Sequence, residues 1–183
     1  MTKRTTTLDY ALLGLLSQAP QSGYDLRKTF EITALGSFSG SPGAIYPALG
    51  RLEREGLVAG EIDTTNELRP RKVFRPTQAG KKTLRAWLTR EFGREDVEFR
   101  FDELMLRFAF HWVLGSSAAT RRFLERLLAG IEDFLTDLTG QYKHLPEGTP
   151  LQSQLALTAG IEQYRASRRW ARAALKEFEE EDS

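Results

Sequence analysis

Ser41-Pro42-Gly43-Ala44-Ile45-Tyr46-Pro47-Ala48-Leu49-Gly50-Arg51-Leu52-Glu53-Arg54-Glu55-Gly56 is the stretch from which the fold can be read. Ser41 suits an N-cap, and Pro42 suits the first helical position, where its missing N–H is harmless. Ile45, Ala48, Leu49 and Leu52 form one apolar stripe, and Gly56 closes the helix. On the outer face Ser41, Gly43, Ala44 and Tyr46 are small or carry a hydroxyl, and none is acidic. Such side chains let a helix N-terminus come close to phosphate or base edges, where its free N–H groups attract anions. Acids appear only at Glu53 and Glu55, while Arg51 and Arg54 project from the solvent side toward flanking phosphates. Pro47, five residues inside, removes a backbone hydrogen bond and predicts a bent axis. Taken alone, the stretch fits equally a short capped helix in a small bundle.

The flanks give it a context. Upstream, Tyr10–Ser17 is a compact apolar helix, ended by the turn residues Ala19 to Gly23. Ser22 then caps a second helix, Gly23–Leu35, that buries Leu26, Phe30 and Thr33. Downstream, Leu57–Asp63 and Val73–Arg75 are two short strands joined by a charged turn, and Pro76-Thr77 starts a helix that runs to Phe92. Three helices, a hairpin and a helix are the order of a winged helix-turn-helix, whose third helix enters the major groove while the wing rides on adjacent backbone. The wing carries Arg69, Arg71, Lys72 and Arg75 within seven residues, a density that suits phosphate or minor-groove contact.

Charge divides the same way. Residues 1–90 hold 14 Lys/Arg against 8 Asp/Glu, a net of +6, and residues 91–183 hold 12 against 17, a net of −5. A basic first half favours a phosphate-rich partner. Domains are therefore expected at 1–90 and 91–183.

The second half is helical throughout: Phe101–Leu114, Ser117–Leu145 and Leu151–Glu180. Phe101–Leu114 is apolar around nearly its whole circumference, through Phe101, Leu104, Phe108 and Trp112 among others, and is expected to be buried on all sides. The last helix carries Leu157, Ile161, Tyr164, Arg168, Ala171, Leu175 and Phe178 at alternating spacings of four and three, beside a second stripe of mostly small residues, Gly160, Ser167, Trp170 and Ala174. That spacing means helix-on-helix packing, within one chain or across a dimer. The dimer is the preferred reading. Phe99, Phe101, Phe108, Trp112 and Phe123 are either core or the lining of an effector pocket.

Several motifs now resemble one family. Tyr10-Ala-Leu-Leu-Gly-Leu-Leu, Ser22-Gly-Tyr-Asp-Leu, Gly43-Ala-Ile-Tyr-Pro-Ala-Leu-Gly-Arg-Leu-Glu-Arg-Glu-Gly-Leu-Val and Arg71-Lys-Val-Phe-Arg-Pro-Thr-Gln-Ala-Gly are similar, in order and spacing, to the PadR family of transcriptional regulators, in its form with a long helical C-terminal domain. The resemblance spans residues 8–90. It implies a homodimer on a palindromic operator of double-stranded DNA, usually a repressor released by a small-molecule effector or another signal. It places DNA contacts at Ser41, Gly43, Ala44, Tyr46 and Pro47. It also implicates Tyr24 at a phosphate, although Tyr24 could equally pack beneath the third helix. Gly50 departs from the family, where many members carry a longer polar or basic residue.

The expected fold is thus mainly α: a winged helix-turn-helix with a two-stranded wing, followed by an all-helical dimerisation domain. There is no cysteine, and His111 and His144 have no evident ligand partners, so neither a disulfide framework nor a metal site is expected. No nucleophile elbow, Walker A loop or dinucleotide fingerprint occurs, so neither an enzyme nor a cofactor is expected. Asp9 interrupts the apolar N-terminal stretch and no run of about 18 apolar residues exists, which points to the cytoplasm rather than a membrane. A winged helix that binds protein rather than DNA is the rival reading.

Overall fold

The computed structural model describes residues 5–38, 42–64 and 71–180, in two compact units, Met1–Arg90 and Glu91–Ser183. In the first, α1 (Thr7–Gln18) opens with a capping box. Thr6 Oγ1 accepts the Asp9 N–H at 3.3 Å, and Asp9 Oδ2 accepts the Thr6 N–H at 2.8 Å. Ser22 and Asp25 repeat the device at the start of α2 (Gly23–Ile32). Just before it, β1 (Gln21–Ser22) pairs with β3 (Arg71–Pro76), which pairs in turn with β2 (Val58–Asp63). The expected hairpin therefore gains a third strand, in the antiparallel order β1-β3-β2. Two polar residues show no alternation, so nothing in their sequence announces a strand.

The second helix stops at Ile32 rather than Leu35, and Thr33, expected to be buried, is exposed. The third also differs from its expected course. Pro42–Ala44 form a 3-10 turn, and α3 proper is Ile45–Arg54 with no side-chain cap. Pro47 is thus the third residue of the α-helix, where backbone N–H groups have no intrahelical acceptor in any case. It removes no helical hydrogen bond, and the expected bend has no cause. At the other end, Leu57 N–H donates to Leu52 O at 2.8 Å and Gly56 N–H to Glu53 O at 3.0 Å. That is a Schellman motif, and Gly56 takes the left-handed φ of 71° it needs.

α4 (Gln78–Leu88) is capped by Thr77. A Cβ at Gly80 would stand 2.0 Å from the carbonyl oxygen of Leu57, so only glycine lets the helix approach there. The core joins Leu12, Leu13 and Leu16 of α1 to Leu26, Phe30, Ile45, Leu49, Leu52, Val58, Leu84 and Leu88, all essentially buried. Tyr10 stacks on Trp87 with ring centres 4.4 Å apart.

The second unit contains α5 (Arg94–Phe99), α6 (Phe101–Ala109), α7 (Ser117–Lys143) and α8 (Leu151–Glu180). The expected helix 101–114 breaks at Phe110 into α6 and a 3-10 turn, His111–Leu114. It is not buried all round either, since Trp112 is 51% exposed. Within this unit α7 packs along α8, and Val97, Leu104, Phe123, Leu127, Ile131, Leu135, Ile161 and Ala171 form one core.

Three residues of the expected dimer seam lie in this core. Leu104, Ile161 and Ala171 are buried inside their own chain, because α7 already supplies the helix that the four-three spacing demanded. Phe101, Phe108, Leu157 and Tyr164 pack partly buried against the same core. Tyr164 OH donates to Val97 O at 3.0 Å. Burial pushes its pKa above the ordinary value, as do the charges of Glu98 and Asp102. Leu175 is half-buried, and so is Phe178, whose ring lies 6.5 Å from that of Phe108. Phe108 and Phe123 pack together while Phe99 and Trp112 face solvent, so the five aromatics do not gather round one space.

Candidate nucleic-acid interface

The outer face of the helix-turn-helix is built from α2, the 3-10 turn and the first half of α3. Ile45, Ala48, Leu49 and Leu52 anchor α3 inward. That leaves Gly43, Tyr46 and Pro47 exposed and Ala44 half-exposed on one face. No carboxylate interrupts residues 43–52. Tyr46 is 52% exposed and Tyr24, at the start of α2, is 58% exposed. Tyr24 therefore does not pack beneath α3. Its ring lies at the surface, with the Arg27 guanidinium 5.6 Å from its centre. Ser41 and Arg69 lie outside the described residues.

Arg51 departs from its expected place on the solvent side. Its guanidinium pairs with Asp9, whose side chain is 1% exposed against 22% for Arg51. The arginine thereby ties α3 to the N-terminus of α1 and is turned away from flanking phosphate. Arg54 stays exposed at the end of α3.

The wing cations also have partners. Arg71 lies 3.3 Å from Asp63 and 3.5 Å from Asp25, Arg75 pairs with Glu61, and Lys72 lies 2.7 Å from Glu53. Strand alternation puts Lys72 on the face of Phe74 and Arg71 on the other. Exposed pairs of this kind contribute about 0–1 kcal/mol, so phosphate oxygens can displace the carboxylates of Arg71. Charge counting found the cations, but spacing gave no signal for partners 19, 42 or 46 residues away in the chain.

Among the described residues no cluster of acidic, His or Cys side chains could hold a metal ion. Nor is any helix there long and apolar enough to cross a membrane.

Residues 12–86 match the transcriptional regulator PadR-like family, and residues 102–179 match the virulence activator alpha C-terminal family. The negative transcriptional regulator PadR of Bacillus subtilis (strain 168) is 34% identical over 139 residues, which cover 75% of this chain and 74% of that protein. Among solved structures, Bacillus subtilis PadR in complex with operator DNA is 28% identical over 92% of this chain and 97% of that one, with a TM-score of 0.44. Bacillus subtilis PadR in complex with p-coumaric acid is 26% identical over 98% of this chain and 99% of that one, with a TM-score of 0.41.

Proposed function

The chain belongs to the PadR-like family of transcriptional regulators, and from this we propose that it is a cytoplasmic repressor that binds a palindromic operator as a homodimer. The family is one of regulators, not enzymes. One observation carries the DNA reading: the acid-free face of Gly43, Ala44, Tyr46 and Pro47 at the start of α3, flanked by the exposed Tyr24. Small residues there let backbone N–H groups reach phosphate, and the tyrosine hydroxyls can bond to phosphate or base edges. Repression is supported by the 34% identical relative, a negative regulator. A small-molecule signal that lowers DNA affinity completes the reading.

The second unit supports the dimer. Ile161 and Ala171 are the buried residues of the 30-residue α8, while Leu151 and Leu155 are 64% and 57% exposed. These leucines, with Trp112, replace the core residues as the proposed subunit contact. Selection of bound sites from random duplex DNA by the purified protein tests the whole reading. The expected outcome is an inverted repeat with half-sites about one helical turn apart or a multiple of it, from a protein that sediments as a dimer. No enriched sequence would leave a protein-binding winged helix in its place.

Arg71 is assigned to backbone contact. Arg71→Ala is expected to weaken the selected operator and random duplex by similar factors. It should also flatten the dependence of log affinity on log salt by about one unit. An unchanged slope in a salt titration would take Arg71 off the phosphate.

A further inference from the structure

We propose that Lys72, one of the wing cations expected on DNA from the sequence, is instead a positioning residue that braces the wing against the recognition helix and so sets operator specificity. The inference rests on the DNA-binding reading above. Two contacts of its ammonium and the course of its stem place the side chain. Its Nζ lies 2.7 Å from Oε2 of Glu53 in the last turn of α3. The same ammonium sits 5.3 Å from the centre of the Phe74 ring, on the strand face it shares with Lys72. Its stem crosses β2 at Gly60, where an added Cβ would fall 2.2 Å from Lys72 Cε and 2.8 Å from Glu53 Oε1. A lysine meant for phosphate needs none of this. Its stem would be free to extend, and a residue with a side chain would serve equally well at position 60.

Glu53 and Lys72 belong to the two elements that a winged helix lays on DNA, the recognition helix and the wing strand. A contact joining them fixes the angle at which helix and wing meet the duplex together. Correct register of both is what separates an operator from random sequence, whereas random sequence is held by phosphate contacts that tolerate many angles. A brace therefore acts on the ratio of the two affinities. A phosphate ligand acts on both alike.

Gly60→Ala separates the two roles without changing charge. The two atoms a Cβ would meet most closely belong to flexible side chains, the edge of the Phe74 ring follows at 3.1 Å, and the Gly60 φ lies outside the left-handed region, so Lys72 gives way first and the strand stays. Lys72→Met, Glu53→Gln and Gly60→Ala are compared on the selected operator and on random duplex across a salt series. All three are expected to lose about tenfold on the operator and less than about twofold on random duplex. Lys72→Met should keep the parent salt slope, while Gly60→Ala, with its lysine released, should keep or steepen it by up to about one unit. Equal losses on both duplexes with a slope flattened by about one unit in Lys72→Met would place the lysine on phosphate and overturn the proposal. Proton NMR of the free protein judges the brace even if no operator exists. The Lys72 ε-methylene should be shifted upfield by the Phe74 ring in the parent and not in Gly60→Ala. Ordinary positions in the parent would overturn the brace whatever the fate of the DNA reading.

Discussion

Asp9→Ala is expected to destabilise the first unit by about 3–5 kcal/mol, out of the roughly 5–15 kcal/mol that holds a domain of ordinary stability together. The carboxylate serves two masters. Oδ2 accepts from the Thr6 backbone N–H and hydroxyl, each at 2.8 Å, and Oδ1 accepts from Arg51. Its removal ends the reciprocal half of the capping box, while Thr6 Oγ1 still accepts the backbone N–H of residue 9. It also leaves a guanidinium only 22% exposed without its counter-charge, and that loss dominates. Water reaches Arg51 in part, so the lower half of the range is the better expectation. Trp87, 4% exposed in that core, reports the transition once Trp112 and Trp170 are replaced by Phe. Urea unfolding followed by Trp87 fluorescence should show the midpoint fall in Asp9→Ala, with a smaller fall in Asp9→Asn. Coincident curves for parent and Asp9→Ala would show that this pair does not hold the unit together.

Gly43→Glu has the larger functional effect. The position is exposed in the 3-10 turn leading into α3, a conformation open to residues other than glycine. An acid at a helix N-terminus even favours the helix, by about 0.3–1 kcal/mol. The same carboxylate faces the phosphates that the proposal brings to that helix end, where it adds bulk and repulsion. Stability and binding should therefore move in opposite directions. The variant should melt no lower than the parent by circular dichroism, yet lose at least about a hundredfold in operator affinity by fluorescence anisotropy. Retained affinity would remove the start of α3 from the interface.

The opposed effects show what could be read from residues alone. The stripe Ile45, Ala48, Leu49 and Leu52 fixed which face of α3 turns inward, and hence which residues turn outward. Periodicity reports a face, but it does not say which element covers that face. Ile161 and Ala171 carried a correct helix-packing signal that was satisfied by α7 of the same chain rather than by a second subunit. Arg51 lies beside the buried Leu52, at the edge of the stripe, where a guanidinium can swing either way. A carboxylate 42 residues upstream decided it. β1 and the six-residue α5 were too short to establish a period, and the break at Phe110 interrupts a run whose composition stays apolar.

The short strand β1 also bears on the order in which the protein can take shape as it is made. Gln21 and Ser22 pair with Phe74 and Val73, and Tyr10 stacks on Trp87. The earliest residues of the first unit thus wait for some of its last, and closing such distant contacts is slow. A nascent chain growing at about 5–20 residues per second would expose the apolar face of α1 for several seconds before α4 leaves the ribosome to cover it. In the second unit α7 and α8 are neighbours in the chain and can zip together from their connecting turn as they appear, while Val97 of α5 waits for Tyr164 of α8. Each unit thus begins with apolar residues that need protection during synthesis until its last helix arrives.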